Sequence, residues 1–420
     1  MINTILIILY NLVDGITINL VGQLKLSEVL ILATLPFLYR SYEFSRYPYL
    51  KKIIFCFVGI LFFQIVTDLI VVHNVPGNFL RGWSQTIIAV ASFLFFFKVL
   101  NGYKTIALFI LLSAFRIYFS DPIDNIEPGE MAYFKFKVFP ALNYLIYFIA
   151  IYMHRLEKGK LIPVLFILYG LTAISLDTRS LGVIFIISAL ILFTFYSGIT
   201  FTRSRVILFS IVFIIIFQSL YVFYVNASLN GELGGEHSVE QLERLKNPYN
   251  PFSLLQTGRG ETFAAIEAIK DAPLFGHGSW ARDVTLKYFF IIQKFHAEDV
   301  VDDVPIQGIQ LIPSHSILMG AWVNFGLGAF ICVCFILGYI LRMGFWLIKK
   351  GQTSPLYPIF IPIVIGFIWT FMFSPFQHLR YSVPYIADII MVSFYLSPGN
   401  ATGKQESLPD KQAELTNIYS

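Results

Sequence analysis

Charge is what this chain has least of. Lys and Arg total 30 and Asp and Glu 26 in 420 residues, 13% in all, where a soluble domain carries about 25%. A water-facing surface of this size needs far more ionised groups, so a soluble globular protein is excluded. Cysteine is scarce too. Cys56, Cys332 and Cys334 each fall inside an apolar run, which excludes a disulfide framework and a Cys-based metal site. The start, Met1-Ile2-Asn3-Thr4, lacks the basic stretch of a signal peptide, and no small-residue cleavage site follows, so it reads as a first membrane span. What the chain does have is apolar: 56% hydrophobic residues, 17% aromatics and a mean hydropathy of +0.70. Disorder and a collagen-like chain are thereby excluded. The composition implies a multi-pass membrane protein whose aromatics suit interfacial belts.

A helix needs about 20 residues to cross the hydrocarbon core. Apolar stretches near 2–21, 26–39, 53–72, 83–100, 105–120, 138–153, 161–176, 182–197, 206–225, 315–341, 355–374 and 381–396 predict an all-α bundle of about 12 spans. The second stretch is short and the first carries Asp14. With the N-terminus inside, the inner loops carry fourteen basic residues, among them Arg40, Lys51, Arg155, Arg203 and Lys349, against only Glu43 and Glu157. The short outer loops carry seven basic residues. This bias places both termini in the cytoplasm. The expected organisation is a bundle over 1–225, one large extracytoplasmic, periplasmic loop over 226–314, three spans over 315–396 and a disordered cytoplasmic tail over 397–420.

The large loop holds twelve of the 26 acidic residues, and loops of this length are usually functional. Ser238 with Gln241 fits a capping box, and Pro248 ends that run. Thr257 is placed to cap a helix over 259–271, with Phe263, Ile266 and Ile269 as its apolar stripe and Pro273 as its stop. The turn Pro273-Leu274-Phe275-Gly276-His277-Gly278 follows, its glycines permitting positive φ or close backbone approach. The stretch from Leu286 to His296 reads equally as a surface-lying helix or as a core helix of the loop. Ser314 is a candidate cap for the tenth span, which puts His315 in its first turn.

Each candidate residue also has an ordinary reading. His315 suits an interfacial histidine, and Arg259 a solvated arginine, although a cation at a helix start is unfavourable and points to an anion. Arg179 stands beside Asp177 and pairs naturally with it. Arg116, Arg380 and His378 fit interfacial anchors as well as diphosphate contacts. Asp68 and Asp388 lie in or near spans, where an acid either has a function or fixes a helix interface.

Three stretches in order carry a resemblance. They are Asp177-Thr178-Arg179-Ser180, then Thr257-Gly258-Arg259 leading to Pro273-Leu274-Phe275-Gly276-His277-Gly278, then His315-Ser316 ahead of Trp322-Val323-Asn324-Phe325-Gly326-Leu327-Gly328. Around one big outer loop between late spans, they resemble the bacterial O-antigen polymerase and O-antigen ligase superfamily. The motifs cover roughly 160–345. The resemblance implies a glycosyltransferase of the bacterial inner membrane. Its donor is an oligosaccharide on undecaprenyl diphosphate at the outer leaflet. Its acceptor is the next lipid-linked repeat for a polymerase, or lipid A core for a ligase. It implies catalytic roles for Arg179, Arg259 and His315. Arg380, His378, Arg116, Gly276 and Gly278 are the candidate substrate contacts around the same mouth. Where many relatives have Asn, this chain has Ser316. The expected partners are the lipid-linked donor and acceptor, the bilayer and a chain-length regulator, with no nucleic acid.

The chemistry suits these residue types. A glycosyl diphosphate carries its own leaving group, so the need is for permanent positive charge, which arginine supplies in bidentate fashion. A histidine titrating near neutrality serves as general base for the incoming hydroxyl. No cofactor and no metal is expected. The acidic cluster Glu298, Asp299, Asp302 and Asp303 reads as a solvated face, and the first outer loop, near 22–25, has no acid. The His315-Ser316-Ile317-Leu318 run with Trp322-Val323 resembles exopolysaccharide and O-antigen polymerases more than ligases. A transporter is the rival from another class. It is disfavoured because the basic and glycine-rich features crowd the outer face, not a midplane site in repeated halves.

Overall fold

The computed structural model of the chain describes residues 1–19, 22–39, 46–119, 133–176, 178–198, 260–296 and 310–398, with scattered positions between 211 and 253. Among these the regular structure is helical apart from one two-stranded hairpin and one isolated bridge, Arg282 to Leu311. The helices are α1 (Ile2–Val13), α2 (Leu26–Leu38), α3 (Pro48–Ile65, continued by a π-turn Val66–Val71), α4 (Pro76–Val99), α5 (Tyr103–Phe119), α6 (Phe139–Arg155), α7 (Ile162–Ser175) and α8 (Arg179–Tyr196). Then come α9 (Gly260–Asp271), α10 (Lys287–His296), α11 (Ile317–Lys350), α12 (Tyr357–Phe373) and α13 (Val383–Leu396), the last preceded by a single turn at His378–Tyr381. Among the described residues, five helices are long and apolar enough to cross a membrane: Pro48–Val71, Pro76–Val99, Phe134–Arg155, Arg179–Tyr196 and Ile317–Lys350. Shorter apolar helices, Ile2–Val13, Leu26–Leu38, Gly159–Ser175, Tyr357–Phe373 and Val383–Leu396, stand among them. The stretch 206–225 lies largely outside the described residues, as does the capping box at Ser238–Gln241.

Apolar side chains from nearly all of these helices form one continuous core, dense in Phe and Ile. Small residues set the closest crossings. On α7 and α8, a Cβ on Gly170 would stand 2.8 Å from the Gly182 carbonyl, and one on Gly182 would stand 2.5 Å from that of Gly170. Where α3 meets α11, Gly328 lies under the ring of Phe63. Backbones approach this closely in membrane bundles because lipid gives no hydrophobic drive, so contact area must come from proximity.

The first span departs from its expected length. The helix stops at Val13, and the chain turns into a hairpin, Thr17–Asn19 paired with Gln23–Lys25. Asp14 is the reason. Its carboxylate takes Arg116 at 2.9 Å, Lys25 at 3.1 Å and Ser27 at 2.6 Å. A buried acid needs such partners, and a helix running on to residue 21 would carry it away from them. The connection to α2 thus begins at Asp14, not near 22, and acids stand at both of its ends. Asp14 and Glu28 both flank it, each held by cations.

The tenth span is not one straight helix either. In α11, Gly326 has φ 76° and ψ −172°, a conformation essentially reserved for glycine. The break frees backbone groups, and the Pro273–Gly278 turn takes them up. His277 N donates to Val323 O at 2.8 Å, Gly278 N to Asn324 O at 2.8 Å, and Leu327 N reaches Pro273 O at 3.2 Å. Trp322 Nε1 adds a bond to Pro273 O at 2.8 Å. Non-helical backbone at this depth is tolerated only where protein satisfies it.

The described part of the large loop has its own small core. Ala264, Ala265 and Ala268 of α9 and Tyr288 of α10 pack with Ile312 and with Val323 of α11. One face of the Lys287–His296 helix thus packs in the loop's own core, with Tyr288 buried, while Phe290 is exposed. Tyr288 and Lys287 both bond Asp271 at 2.5 Å and so close α10 onto the end of α9. Those bonds hold the Asp271 carboxyl below its ordinary range.

Candidate functional site

The loop is fixed to the bundle by one buried carboxylate. Asp68, in the π-turn that ends α3, accepts from Ser279 N at 2.7 Å, Ser279 Oγ at 2.6 Å, Asn74 Nδ2 at 2.9 Å and Trp83 Nε1 at 3.0 Å. Thr67 Oγ1 donates to Phe275 O at 2.6 Å. The extra residue of a π-turn re-aims the side chains that follow it, and here it brings Thr67 and Asp68 to the loop. Gly276 and Gly278 belong to this junction. A Cβ on Gly276 would stand 2.6 Å from the Asn324 backbone, and Gly278, at φ 89°, lies 3.1 Å from Asp68 Oδ1. Both glycines face protein, so their positive φ values serve docking of the loop and leave no space for a ligand beside them.

Two of the expected anion-holding arginines already hold acids. Arg116, almost fully buried, bonds Asp14 and the Tyr10 hydroxyl at 3.2 Å. Arg380 grips Glu28 with two nitrogens and reaches Gln23 O at 3.1 Å. A guanidinium within a bundle needs a counter-charge, and the acids beside the hairpin supply it. These two pairs pin the N-terminal hairpin to α5 and to the turn before α13.

His315, Arg179 and His378 stand differently. The helix cap is Ser316, not Ser314. The Ser316 Oγ accepts from Met319 N at 3.2 Å and donates to Phe371 O at 3.1 Å. His315 therefore sits outside the helix, one residue before its cap, with its side chain 54% exposed. Its Nδ1 is 3.8 Å from Glu261 Oε1, in the first turn of α9. His378 is close enough to His315 for repulsion to count. Burial first, and His315 second, push the His378 imidazole below its ordinary value of 6.5. Its Nδ1 is 3.2 Å from Ser382 Oγ. Arg179 opens α8, with its guanidinium 5.3 Å from the centre of the Tyr224 ring. Arg259, two positions ahead of Glu261, lies outside the described residues, as do Asp177 and the acidic cluster at 298–303. No cluster of three or more metal-ligating side chains occurs among the described residues.

A cavity of about 220 Å³ opens between α5, α6, α8, α12 and α13. Its wall includes Asn143, Tyr144, Ser180, Trp369, Thr370 and Tyr385. Ser180 follows Arg179 in the chain, and Thr370 precedes the Phe371 whose carbonyl receives Ser316. The cavity thus adjoins the start of α8, which carries Arg179, and the end of α12, to which Ser316 is bonded. The sequence reading passed over it because its wall comes from five helices far apart in the chain. Glu261 was passed over as well. Its only signal was an acid two residues after Arg259, which reads as ordinary helix-start chemistry.

Compared with family models, curated proteins and solved structures, the chain matches none.

Proposed function

We propose that this chain is a membrane glycosyltransferase that polymerises undecaprenyl-diphosphate-linked oligosaccharide repeats at the outer leaflet. The observation that carries the reading is the pairing of an exposed His315 with Glu261, and Ser180, next to Arg179 in the chain, lines a polar, aromatic cavity. His315 is exposed and next to a carboxylate, which suits a base that must accept a proton from a sugar hydroxyl and hold it. The Glu261 carboxylate stands 3.8 Å from the ring, the position of the third group in nucleophile–base pairs. His378, kept neutral by burial, adds no competing charge. The Arg179 guanidinium at a helix N-terminus meets the diphosphate as negative charge grows on it, and Arg259 has the same role in this reading. The hydroxyl oxygen bonds to the anomeric carbon as the bond from that carbon to the diphosphate oxygen breaks. The proton goes to His315 and the electron pair to the diphosphate.

The test uses the full chain reconstituted in nanodiscs with a lipid-linked oligosaccharide repeat. Wild-type protein gives a ladder of longer lipid-linked glycans. His315→Ala, inserted and folded like wild type, loses about 10²–10⁴-fold in rate. Full-length product from His315→Ala removes the base role, and no glycan transfer by wild type removes the reading.

A further inference from the structure

We infer that the cavity between α5, α6, α8, α12 and α13 is a subsite for a single sugar ring, the one attached to the lipid diphosphate. The inference rests on the proposed glycosyl transfer and names the part of the substrate that the bundle itself recognises. Size comes first. At about 220 Å³ the cavity is smaller than the roughly 300–1,000 Å³ of pockets for drug-sized ligands, so it suits one ring and not an oligosaccharide.

The wall chemistry comes second. Asn143 Oδ1 is buried with no hydrogen-bond partner, and an amide oxygen left so costs about 1–3 kcal/mol unless a ligand donates to it. Tyr144 and Tyr385 share one hydrogen bond at 2.7 Å, which leaves further donor and acceptor capacity on the pair. Thr370 Oγ1 donates to Gly366 O at 2.9 Å and retains its lone pairs. Trp369 supplies an aromatic surface. Hydroxyl donors on one edge and an apolar C–H face on the other are what a pyranose offers. An isoprenoid chain has no group for Asn143, and a free phosphate would find no cation on the wall.

Placement comes third. Ser180 lines the cavity directly after Arg179, so a diphosphate held at Arg179 leaves its sugar at the opening.

Gly366 makes the inference testable. It lines the cavity, and a Cβ built there meets nothing within 4 Å. Gly366→Leu therefore fills the space without disturbing its neighbours, and replacing a helical glycine favours the helix. The full chain in nanodiscs is titrated with a polyprenyl diphosphate bearing one hexose and with the same lipid without it. Wild type is expected to bind the sugar-bearing lipid about tenfold more tightly, the worth of one or two hydrogen bonds. Gly366→Leu is expected to erase that preference, leaving sugar-free binding and the melting temperature unchanged, while Gly366→Ala keeps it. A preference that survives Gly366→Leu overturns the subsite. Equal loss of both lipids in Gly366→Leu also overturns it and gives the cavity to the lipid chain. Wild type binding both lipids equally overturns the subsite alone. Wild type binding neither overturns the lipid-linked donor as well.

Discussion

The loop junction at Pro273–Ser279 and the mouth at His315 both adjoin the first turns of α11, yet they are held by unlike means. At the junction Asp68 alone accepts four hydrogen bonds, and the broken backbone around Gly326 is answered by the turn that enters it. At the mouth the His315 ring is 54% exposed, with a carboxylate 3.8 Å away. One region uses its polar groups up among themselves, and the other leaves them for something else. The contrast separates polar residues that build the fold from those available for chemistry. Arg116 and Arg380 belong to the first kind, each bound to an acid.

The comparison can be broken from either side. The largest effect is expected at Gly326. Valine there must adopt a glycine-only backbone and would put its Cβ 2.0 Å from Leu274 O, so Gly326→Val costs more than about 3 kcal/mol. Its readout is loss of folded protein in membranes and cleavage within 273–296 by added protease. Asp68→Ala is next. It strands the Ser279 amide and the Trp83 indole N–H, at about 3 kcal/mol. It should lower the melting temperature in detergent and expose the loop to protease while the bundle stays helical. A junction as resistant as wild type would show that Asp68 does not hold the loop.

At the mouth the expected effects fall on rate and not on folding. Glu261→Gln should slow transfer about fivefold, since a water-screened ion pair near 4 Å is worth about 1 kcal/mol. Its melting temperature should match wild type. A melting temperature that fell as it does in Asp68→Ala would make Glu261 a structural residue. The smallest effect is that of pH on His378. Its folded pKa is depressed, so the unfolded chain takes up the proton first as acidity rises. Stability is full above about pH 6.5 and declines as pH falls through the lower folded value. His378→Gln should flatten that decline in a thermal melt run from pH 8 to pH 5. The loop has its own window. Asp271 is depressed by Lys287 and Tyr288, so its contribution lasts until pH falls below about 3.8.

Much of the fold was legible because lipid imposes a one-dimensional rule. Long apolar runs marked the helices that begin at Pro48, Pro76, Arg179 and Ile317, and the α9 boundaries fell within a residue of those set by its stop at Pro273. The misreadings share one cause. The first span's end at Asp14 and the cap at Ser316 were misread from local sequence, but each is decided by a partner far along the chain: Arg116 and Phe371. Arg116, Arg380, Gly276 and Gly278 were singled out for residue type alone, and residue type does not tell whether a group is already engaged. The cavity wall was invisible because no run of sequence contains it.

The sequence by itself determined that the chain is helical with runs apolar enough to cross a membrane, and which few polar residues stand at the ends of those runs. It could do so because hydrocarbon excludes charge and forces each segment to satisfy its own backbone. Only the tertiary structure decided which of those polar groups are spent on one another and which face open space. That choice depends on contacts between residues hundreds of positions apart, such as Glu28 with Arg380 and Asp68 with Ser279.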